Sequence, residues 1–332
     1  HIAKRLIDLY GWQPELYTDN GQPKVDETVL SSLDYPHAKL LSEYLMIQKR
    51  IGQLAEGNQA WLKLEKEGKI HGRVNTMGAV TSRCTHSNPN VAQVPSVSAP
   101  YGKECRALFH APRDSLLVGV DVSGLELRCL AHYMFPFDKG KYAHELLDGD
   151  IHTVNQLAAG LDSRSQAKTF IYGFLYGAGP EKLGEIVGGG KKEGTKLRNS
   201  FLKKTPAIKR LREEVSKKVK AEGWLKGLDG RRIPIRSEHA ALNSLLQSAG
   251  AIICKKWLVI FHEQLRKNNY EGITQVAFVH DEVQLVVHGD ENKAKTIGEV
   301  AIDAIRLTGE YYNFKLPLTG EFNIGRNWAD TH

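Results

Sequence analysis

Two aspartates 160 positions apart, each beside a strand-like run, constrain the fold of this chain more than any other feature. Asp121 follows the apolar run 116–120, and Asp281 lies between the apolar runs 276–279 and 283–287. Short apolar runs rich in valine are typical of buried strands, and two of them around a short polar segment predict a hairpin. Either aspartate alone is typical of a turn, but a strand end and a hairpin tip can converge on one site.

A helix is predicted between the two aspartates, with Ser163 as its N-cap. Arg164, Lys168, Tyr172 and Tyr176 follow at intervals of four residues, which places them along one face of this helix. Two cations can hold a triphosphate, an aromatic ring can stack on a base or sugar, and Lys168 can protonate a leaving pyrophosphate. The alternative is a solvated basic stripe above aromatic core residues. The glycine that follows each tyrosine favours a binding site over such a surface stripe.

Together these side chains predict phosphoryl-transfer chemistry. That reaction uses two cations about 4 Å apart, one at the attacking oxygen and one at the leaving phosphates. Mg²⁺ takes few carboxylates and keeps waters and substrate oxygens as other ligands, so Asp121 and Asp281 suit a shared metal pair. Glu126 begins the predicted helix 125–134 and faces the same site. Its alternative role is an ordinary first-turn acid that stabilises the helix dipole.

Composition narrows the class of protein. The 332 residues carry a net charge of +7, which favours a polyanionic partner. The four cysteines are scattered and form no Cys-x-x-Cys pair, which argues against structural zinc and disulfides and fits a reducing cytoplasm. No run of about 18 apolar residues is present, so no membrane span is expected.

The rest of the chain predicts mainly helices. Residues 38–66 have the spacing of one amphipathic helix, and 240–265 that of a long helix with Asn243 and Gln247 on one face. Residues 70–81 predict a strand, a turn at 77–78 and a returning strand, and 231–236 predict a short strand.

Three of these segments resemble motifs A, B and C of the family A DNA polymerases, the DNA polymerase I family. They are residues 118–128, 164–177 and 276–287. Further segments resemble the T-seven-type bacteriophage branch of that family: 43–52, 123–132, 167–178 and 242–251. The resemblance covers nearly the whole chain and is highly specific.

The resemblance implies an α+β fold, the right-hand polymerase, with an antiparallel palm sheet, helical fingers and a partial helical thumb. The implied division is a thumb remnant at 1–69, a palm at 70–133 and 244–332, and fingers at 134–243.

The resemblance also implies roles for individual residues at the metal and nucleotide sites. Asp121, Asp281 and the Val122 carbonyl would bind two Mg²⁺ ions, with Mn²⁺ as a substitute. The incoming triphosphate would be contacted by His152, Arg164 and Lys168. Tyr172 would lie over the sugar and base, and Glu126 would close the pocket under the ribose 2′ position.

The remaining implied roles concern DNA. Arg83 and Gln247 would reach the minor groove near the primer terminus, although either residue alone is typical of plain surface polarity. Tyr176 and His280 would contact the primer-template, and Glu282 would support the site.

The implied reaction is template-directed attack of a primer 3′-hydroxyl on the α-phosphorus of a dNTP, with release of pyrophosphate. Its partners are primer-template DNA and dNTP, with a separate exonuclease chain and a processivity factor as further candidates. The expected setting is phage genome replication in the cytoplasm of an infected bacterium. Because no Asp-x-Glu strand motif opens the chain, we expect no proofreading domain in it.

Two alternatives remain at this stage. A single-subunit RNA polymerase shares the two aspartates, but Glu126 and Tyr172 suit a pocket without a 2′-hydroxyl. A non-catalytic DNA-binding subunit of a split polymerase would be expected to lack Asp121, Lys168 or Asp281, and all three are present.

Overall fold

A computed structural model describes residues 1–18 and 20–332. The chain forms two compact units, one of His1–Arg73 with His86–Val91 and the other of Val74–Thr85 with Ala92–His332. The finer division at residues 69, 133 and 243 stays a prediction.

The helices and strands of the described residues are numbered in chain order. The α-helices are α1 (Ile2–Tyr10), α2 (Glu27–Ser31), α3 (Pro36–Ile51), α4 (Trp61–Leu64), α5 (Gly102–Ala107), α6 (Leu125–Asp138), α7 (Lys141–Leu147), α8 (Ile151–Ala159), α9 (Arg164–Leu175), α10 (Pro180–Gly184), α11 (Lys191–Lys204), α12 (Pro206–Glu222), α13 (Ala241–Lys267) and α14 (Glu291–Tyr311). The strands are β1 (Glu65–Lys66), β2 (Lys69–Ile70), β3 (Arg73–Asn75), β4 (Thr85–Ser87), β5 (Ser115–Val122), β6 (Trp224–Lys226), β7 (Arg232–Pro234), β8 (Ile273–Val279), β9 (Glu282–His288) and β10 (Gly320–Gly325).

The first unit is a small helical cluster. Leu6, Trp12, Leu30 and Ala38 form its hydrophobic core cluster. The predicted single helix over 38–66 is wrong, because α3 ends at Ile51 and a π-helical turn, Gly52–Glu56, follows it. Gly57 then adopts an extended conformation, with φ −63° and ψ 160°. Glycine loses more backbone entropy in a helix than other residues, which favours a break at this position.

An antiparallel sheet organises the second unit. Its strand order is β10-β5-β9-β8, and every neighbouring pair is antiparallel. Val118 and Val120 of the central strand β5 are fully buried. The predicted strand and hairpin are therefore confirmed, and the hairpin tip between β8 and β9 consists of His280 and Asp281.

Two long helices, α13 and α14, pack against each other, and α14 also packs on strands β5 and β10. The fully buried Trp257 links the helices, because its Nε1 donates to the Ala301 carbonyl at 2.9 Å. The end of strand β5 and the adjoining β8–β9 hairpin tip, here called the sheet edge, carry the two aspartates. This sheet edge is thus attached to a rigid, well-packed support.

The helices between α6 and α13 contribute aromatic side chains to the same continuous hydrophobic core as the sheet. The rings of Phe170 and Phe174 on α9 lie 5.2 and 5.1 Å from that of Phe201 on α11, both in edge-on orientation. The predicted N-cap of α9 is confirmed. Ser163 Oγ accepts from the Gln166 amide, and the Gln166 side chain accepts from the Ser163 amide, which forms a capping box.

Residues 76–84 differ from the prediction. The strand β3 ends at Asn75 and the next strand begins only at Thr85, so no strand returns directly after residue 78. The intervening residues form turns instead, and the Ser82 amide donates to the Ala79 carbonyl at 2.9 Å.

One helical stretch in the described chain, Glu238–Lys267, is long and apolar enough to cross a membrane, with a mean hydropathy of 1.3 in its most apolar window. However, 61% of that window is buried inside the protein, which is typical of a core helix.

Candidate active site

The two aspartates meet at one edge of the sheet. Asp121 is the last residue but one of β5, and in the sheet register it lies opposite Glu282, the first residue of β9. The Val122 amide donates to the Asp281 carbonyl at 3.2 Å. The strand end and the hairpin tip therefore converge as the sequence predicts.

The carboxylates at this edge affect each other's ionisation. Removal from water, and then the negative charges of Asp281 and Glu282, raise the pKa of Asp121 to about 7. Burial and the charge of Glu126 raise the pKa of Asp281 to about 6. A cation bound between these carboxylates would relieve the repulsion that accompanies their ionisation, so the arrangement favours binding of cations.

The donor set suits a hard divalent cation. No group of three or more His, Cys, Asp and Glu side chains with metal-binding geometry occurs in the described part of the chain. Two aspartates and the neighbouring Val122 carbonyl would leave most coordination positions to water and substrate. Mg²⁺ favours such sites, because it keeps several waters and is bound by one or two carboxylates plus phosphate oxygens.

Glu126 begins α6 beside the two aspartates and has two partners. Its Oε1 accepts a 2.7 Å hydrogen bond from the Tyr176 hydroxyl and lies 3.3 Å from NH2 of Arg83. The Glu126 side chain is only 15% exposed. One carboxylate oxygen therefore connects the end of α9 with the loop before β4.

The helix α9 presents Tyr172 to the carboxylates. Burial, and then the charges of Glu126, Asp281 and Asp121, raise the pKa of the Tyr172 phenol. Its ring stacks on that of Tyr176, with centroids 6.4 Å apart. The predicted aromatic face of α9 therefore lies within electrostatic reach of the sheet edge.

The cationic part of α9 lies toward α8. Arg164 Nε donates to the Asp150 carboxylate at 2.9 Å, and Asp150 is also the N-cap of α8. Burial and then the charge of Arg164 lower the pKa of His152, with Lys168 as a further cause. Lys168 is exposed and forms no ion pair with the residues that the structure describes. His152, Arg164 and Lys168 are thus brought together, as predicted.

Two further candidates lie near this group. His280 at the hairpin tip is exposed and has a φ of 60°. Gln247 lies on α13, one turn after Asn243, whose Nδ2 donates to the Tyr176 carbonyl at 3.4 Å.

Glu282 is buried and held by a hydrogen-bond network that the sequence pattern does not predict. Its Oε1 accepts from Trp328 Nε1 at 2.5 Å and from Gln284 Nε2 at 2.6 Å, and its Oε2 pairs with His332 Nδ1 at 2.8 Å. Burial alone would raise the pKa of Glu282, but hydrogen bonds from His332 and Gln284 outweigh this effect and lower it. The aromatic and histidine side chains near residue 330 are the only sequence signal that could have indicated these partners.

Gly119 makes room for this network. A Cβ atom on Gly119 would lie 2.3 Å from the Thr331 carbonyl oxygen and 2.5 Å from Gln284 Nε2. The Thr331 hydroxyl in turn donates to Gln284 Oε1 at 2.8 Å. Any side chain at position 119 would therefore push the segment 328–332 away from Glu282.

Comparison with known proteins identifies relatives over the whole chain. The family model for DNA polymerase family A matches residues 1–330. The DNA-directed DNA polymerases of Enterobacteria phage T3 and Escherichia phage T7 are each 49% identical to this chain, over 100% of its length and 52% of theirs. The DNA polymerase I of Aquifex aeolicus is 27% identical over 94% of the chain and 54% of its own length. The chain thus spans about half the length of these relatives.

A solved structure has the same fold. It is the POL domain of Pol1 from M. smegmatis in complex with DNA primer-template and dNTP. Its TM-score is 0.83 at 19% sequence identity, over 99% of this chain and 61% of that one. The predicted α+β right-hand polymerase fold is confirmed.

Proposed function

This chain belongs to DNA polymerase family A, and we propose that it catalyses template-directed transfer of deoxynucleotides from dNTPs to a primer 3′-hydroxyl, with release of pyrophosphate. One observation carries the proposal: Asp121 at the end of β5 and Asp281 at the tip of the β8–β9 hairpin converge, and Tyr172 of α9 lies within electrostatic reach of both.

Two Mg²⁺ ions, or Mn²⁺ in their place, would be held by Asp121, Asp281 and the Val122 carbonyl. Bound there, such ions lower the pKa of the attacking hydroxyl and neutralise charge on the phosphates. The two carboxylates are suited to this role because neither forms an ion pair with another described side chain.

The cluster on α8 and α9 would bind the triphosphate. Arg164 and His152 would bind its oxygens once Arg164 exchanges Asp150 for phosphate, and guanidinium suits this exchange because it binds both anions through paired N–H groups. Lys168 would hold the leaving oxygens and deliver a proton from Nζ to them. Its exposure and lack of a described acidic partner leave it available.

The residues around Glu126 would define the sugar and the primer terminus. Tyr172 would lie over the deoxyribose and base, while Glu126 would occupy the volume of a 2′-hydroxyl. Arg83 and Gln247 would reach the minor groove, and Tyr176 and His280 would lie beside the primer-template. Glu282, held by the buried network, would keep the hairpin tip in place.

The larger organisation is also part of the proposal. Residues 1–69 would serve as part of a thumb, 70–133 and 244–332 as the palm, and 134–243 as the fingers. The relatives in phages T3 and T7 favour a role in phage genome replication, in the cytoplasm of an infected bacterium.

Primer extension tests this function. The protein is incubated with a primed template, Mg²⁺ and either dNTPs or NTPs, and the variants Asp121→Asn and Asp281→Asn are compared with Asp303→Asn, a half-buried aspartate on α14. We expect the parent to extend the primer with dNTPs but not with NTPs. The rate of extension should fall about a thousandfold or more in Asp121→Asn and Asp281→Asn and stay near normal in Asp303→Asn.

The other outcomes separate the alternatives. Efficient extension with NTPs would indicate an RNA polymerase. Tight primer-template binding without extension under any metal would indicate a non-catalytic DNA-binding subunit. Extension by either active-site variant within tenfold of the parent would rule out that aspartate as a shared ligand.

A further inference from the structure

The loop of residues 76–83, here called the Arg83 loop, ends at the arginine that pairs with Glu126 but has little apolar packing of its own. Its apolar side chains are open to solvent, with Met77 58% and Val80 40% exposed. None of its residues belongs to a strand. A segment with so few buried apolar side chains is expected to open locally unless polar contacts hold it.

Ser82 is the buried point of this loop. It is 2% exposed and has a φ of 65°, a conformation that residues other than glycine adopt only when their surroundings enforce it. Two cations supply that constraint. Arg231 NH1 donates to Ser82 Oγ at 2.6 Å, and Lys255 Nζ donates to the Ser82 carbonyl at 2.5 Å.

Each cation is itself well placed to hold the loop. Lys255 projects from α13 and also donates to the Thr76 carbonyl, so one ammonium group joins the two ends of the loop. Arg231 is fixed by Asp229, which accepts from its Nε at 2.7 Å and lies 2.6 Å from its NH2. Hydrogen bonds with a charged donor are roughly twice as strong as neutral ones.

The loop has one further constraint. A Cβ atom on Gly78 would lie 1.9 Å from Thr85 Oγ1, so the chain folds back tightly there. The backbone of Ser82 then determines where the next residue, Arg83, can point. Arg83 NH2 lies 3.3 Å from the same Glu126 oxygen that accepts from Tyr176.

We propose that Lys255 and Arg231 are positioning residues. They hold the Arg83 loop in the conformation that presents Arg83 to Glu126 and, during synthesis, to the primer terminus. The second half of this inference rests on the proposed polymerase function, whereas the loop-holding role does not depend on it.

Cys84, the residue after Arg83, provides a direct measure of loop opening. It is half-buried, whereas Cys105, Cys129 and Cys254 are buried. The rate of its reaction with a thiol reagent therefore reports on the loop. Lys255 also interacts electrostatically with Cys84. An acceleration shared by variants of Lys255 and Arg231 would therefore measure opening of the loop and not the loss of one charge.

The first experiment compares Lys255→Met with Lys256→Met, and Arg231→Gln with Arg232→Gln. The control lysine and arginine are sequence neighbours that lie over the rings of Tyr311 and Trp224, away from the loop. We expect the Cys84 reaction to accelerate about tenfold or more in the two test variants and to stay unchanged in the controls. Equal rates in all four, with unchanged thermal midpoints, would overturn the loop-holding role.

The second experiment measures single-nucleotide incorporation in a double-mutant cycle. Lys255→Met should lower kcat/KM about tenfold, and Lys255→Arg should restore most of it. In an Arg83→Ala background the same change should cost less than about twofold, because its effect passes through Arg83. Full additivity of the two losses would overturn the positioning role.

The two experiments separate this inference from the function itself. If the parent protein fails to extend primers but its Lys255→Met variant exposes Cys84, the polymerase function is refuted and the loop-holding role is supported. If the parent extends primers and its Lys255→Met variant neither exposes Cys84 nor loses activity, only the loop-holding role is refuted.

Discussion

Replacing Asp281 by asparagine should stabilise the metal-free protein while abolishing its activity. Burial and the neighbouring charge of Glu126 raise the pKa of Asp281 from 3.8 to about 6. A carboxyl group with a higher pKa in the folded state binds its proton more tightly when folded. Its ionisation therefore lowers stability above the folded pKa, and that loss disappears as the pH falls through about 6 toward 3.8.

The magnitude follows from the difference between the two pKa values. Each pKa unit corresponds to about 1.4 kcal/mol, so a rise from 3.8 to about 6 sets an upper limit of about 3 kcal/mol at pH 8. The side chain is only half-buried, and water and salt screen the repulsion. We expect Asp281→Asn to increase the free energy of unfolding by about 1–2 kcal/mol, with a gain of a few degrees in thermal midpoint.

Urea and thermal unfolding at pH 8 in EDTA measure this effect, and the same titrations at pH 5 should show a smaller difference between variant and parent. Saturating Mg²⁺ should stabilise the parent more than the variant, because a ligand that binds only the folded state stabilises it by mass action. Asp303→Asn is the matched control. Despite some burial, hydrogen bonds from Arg306 and Gln264 lower the pKa of Asp303, so its replacement should lower stability with or without metal. An Asp281→Asn variant that is less stable than the parent in EDTA at pH 8 would refute the electrostatic argument.

Three further predictions concern substrate choice and DNA binding. Glu126→Ala should reduce the preference for dCTP over CTP about tenfold or more in single-nucleotide incorporation, because it opens the space of the 2′-hydroxyl. Glu126→Gln, which keeps the side-chain volume, is the control, and an unchanged dCTP/CTP ratio in Glu126→Ala would contradict the steric role. Tyr172→Phe should restore discrimination against dideoxynucleotides by roughly tenfold or more, because the phenol can replace the missing 3′-hydroxyl in hydrogen bonding; equal dideoxy incorporation by both proteins would argue against this. Extension by this polypeptide in the presence of trap DNA should fall steeply between about 50 and 200 mM salt, and a mismatched primer end should stay untrimmed; long products at the higher salt, or trimming, would contradict the prediction.

Local patterns predicted the elements that carry the aspartates, because those elements are determined by short-range signals. The apolar run before Asp121 forms β5, the two valine-rich runs form the β8–β9 hairpin, and Ser163 caps α9. The predicted helix over 38–66 is wrong because its hydrophobic spacing continues through Gly52 and Gly57, where the structure departs from an α-helix. Hydrophobic spacing indicates which face is buried, whereas the break depends on the backbone entropy of glycine.

The supports of the site could not be predicted, because they join residues far apart in the sequence. Lys255 binds the carbonyl of Ser82, 173 positions away, and Trp328 binds Glu282, 46 positions away. A lysine on a long helix or a tryptophan near the end of a sequence has no pattern that names its partner. Only the folded chain supplies that information, since such contacts depend on tertiary packing.

The contrast between three neighbouring acids explains how this sheet edge can favour metal ions. Glu282 is buried and bound by Trp328, Gln284 and His332, so its charge is already satisfied within the protein. Asp281 directly precedes Glu282 in the sequence and Asp121 lies opposite it in the strand pair, yet neither aspartate forms an ion pair with a described side chain. Burial and repulsion between the neighbouring carboxylates raise the pKa values of Asp121 and Asp281, whereas hydrogen bonds outweigh burial at Glu282 and lower its pKa. A bound divalent cation would remove this repulsion. The fold therefore satisfies Glu282 internally, whereas Asp121 and Asp281 gain stability when a cation binds.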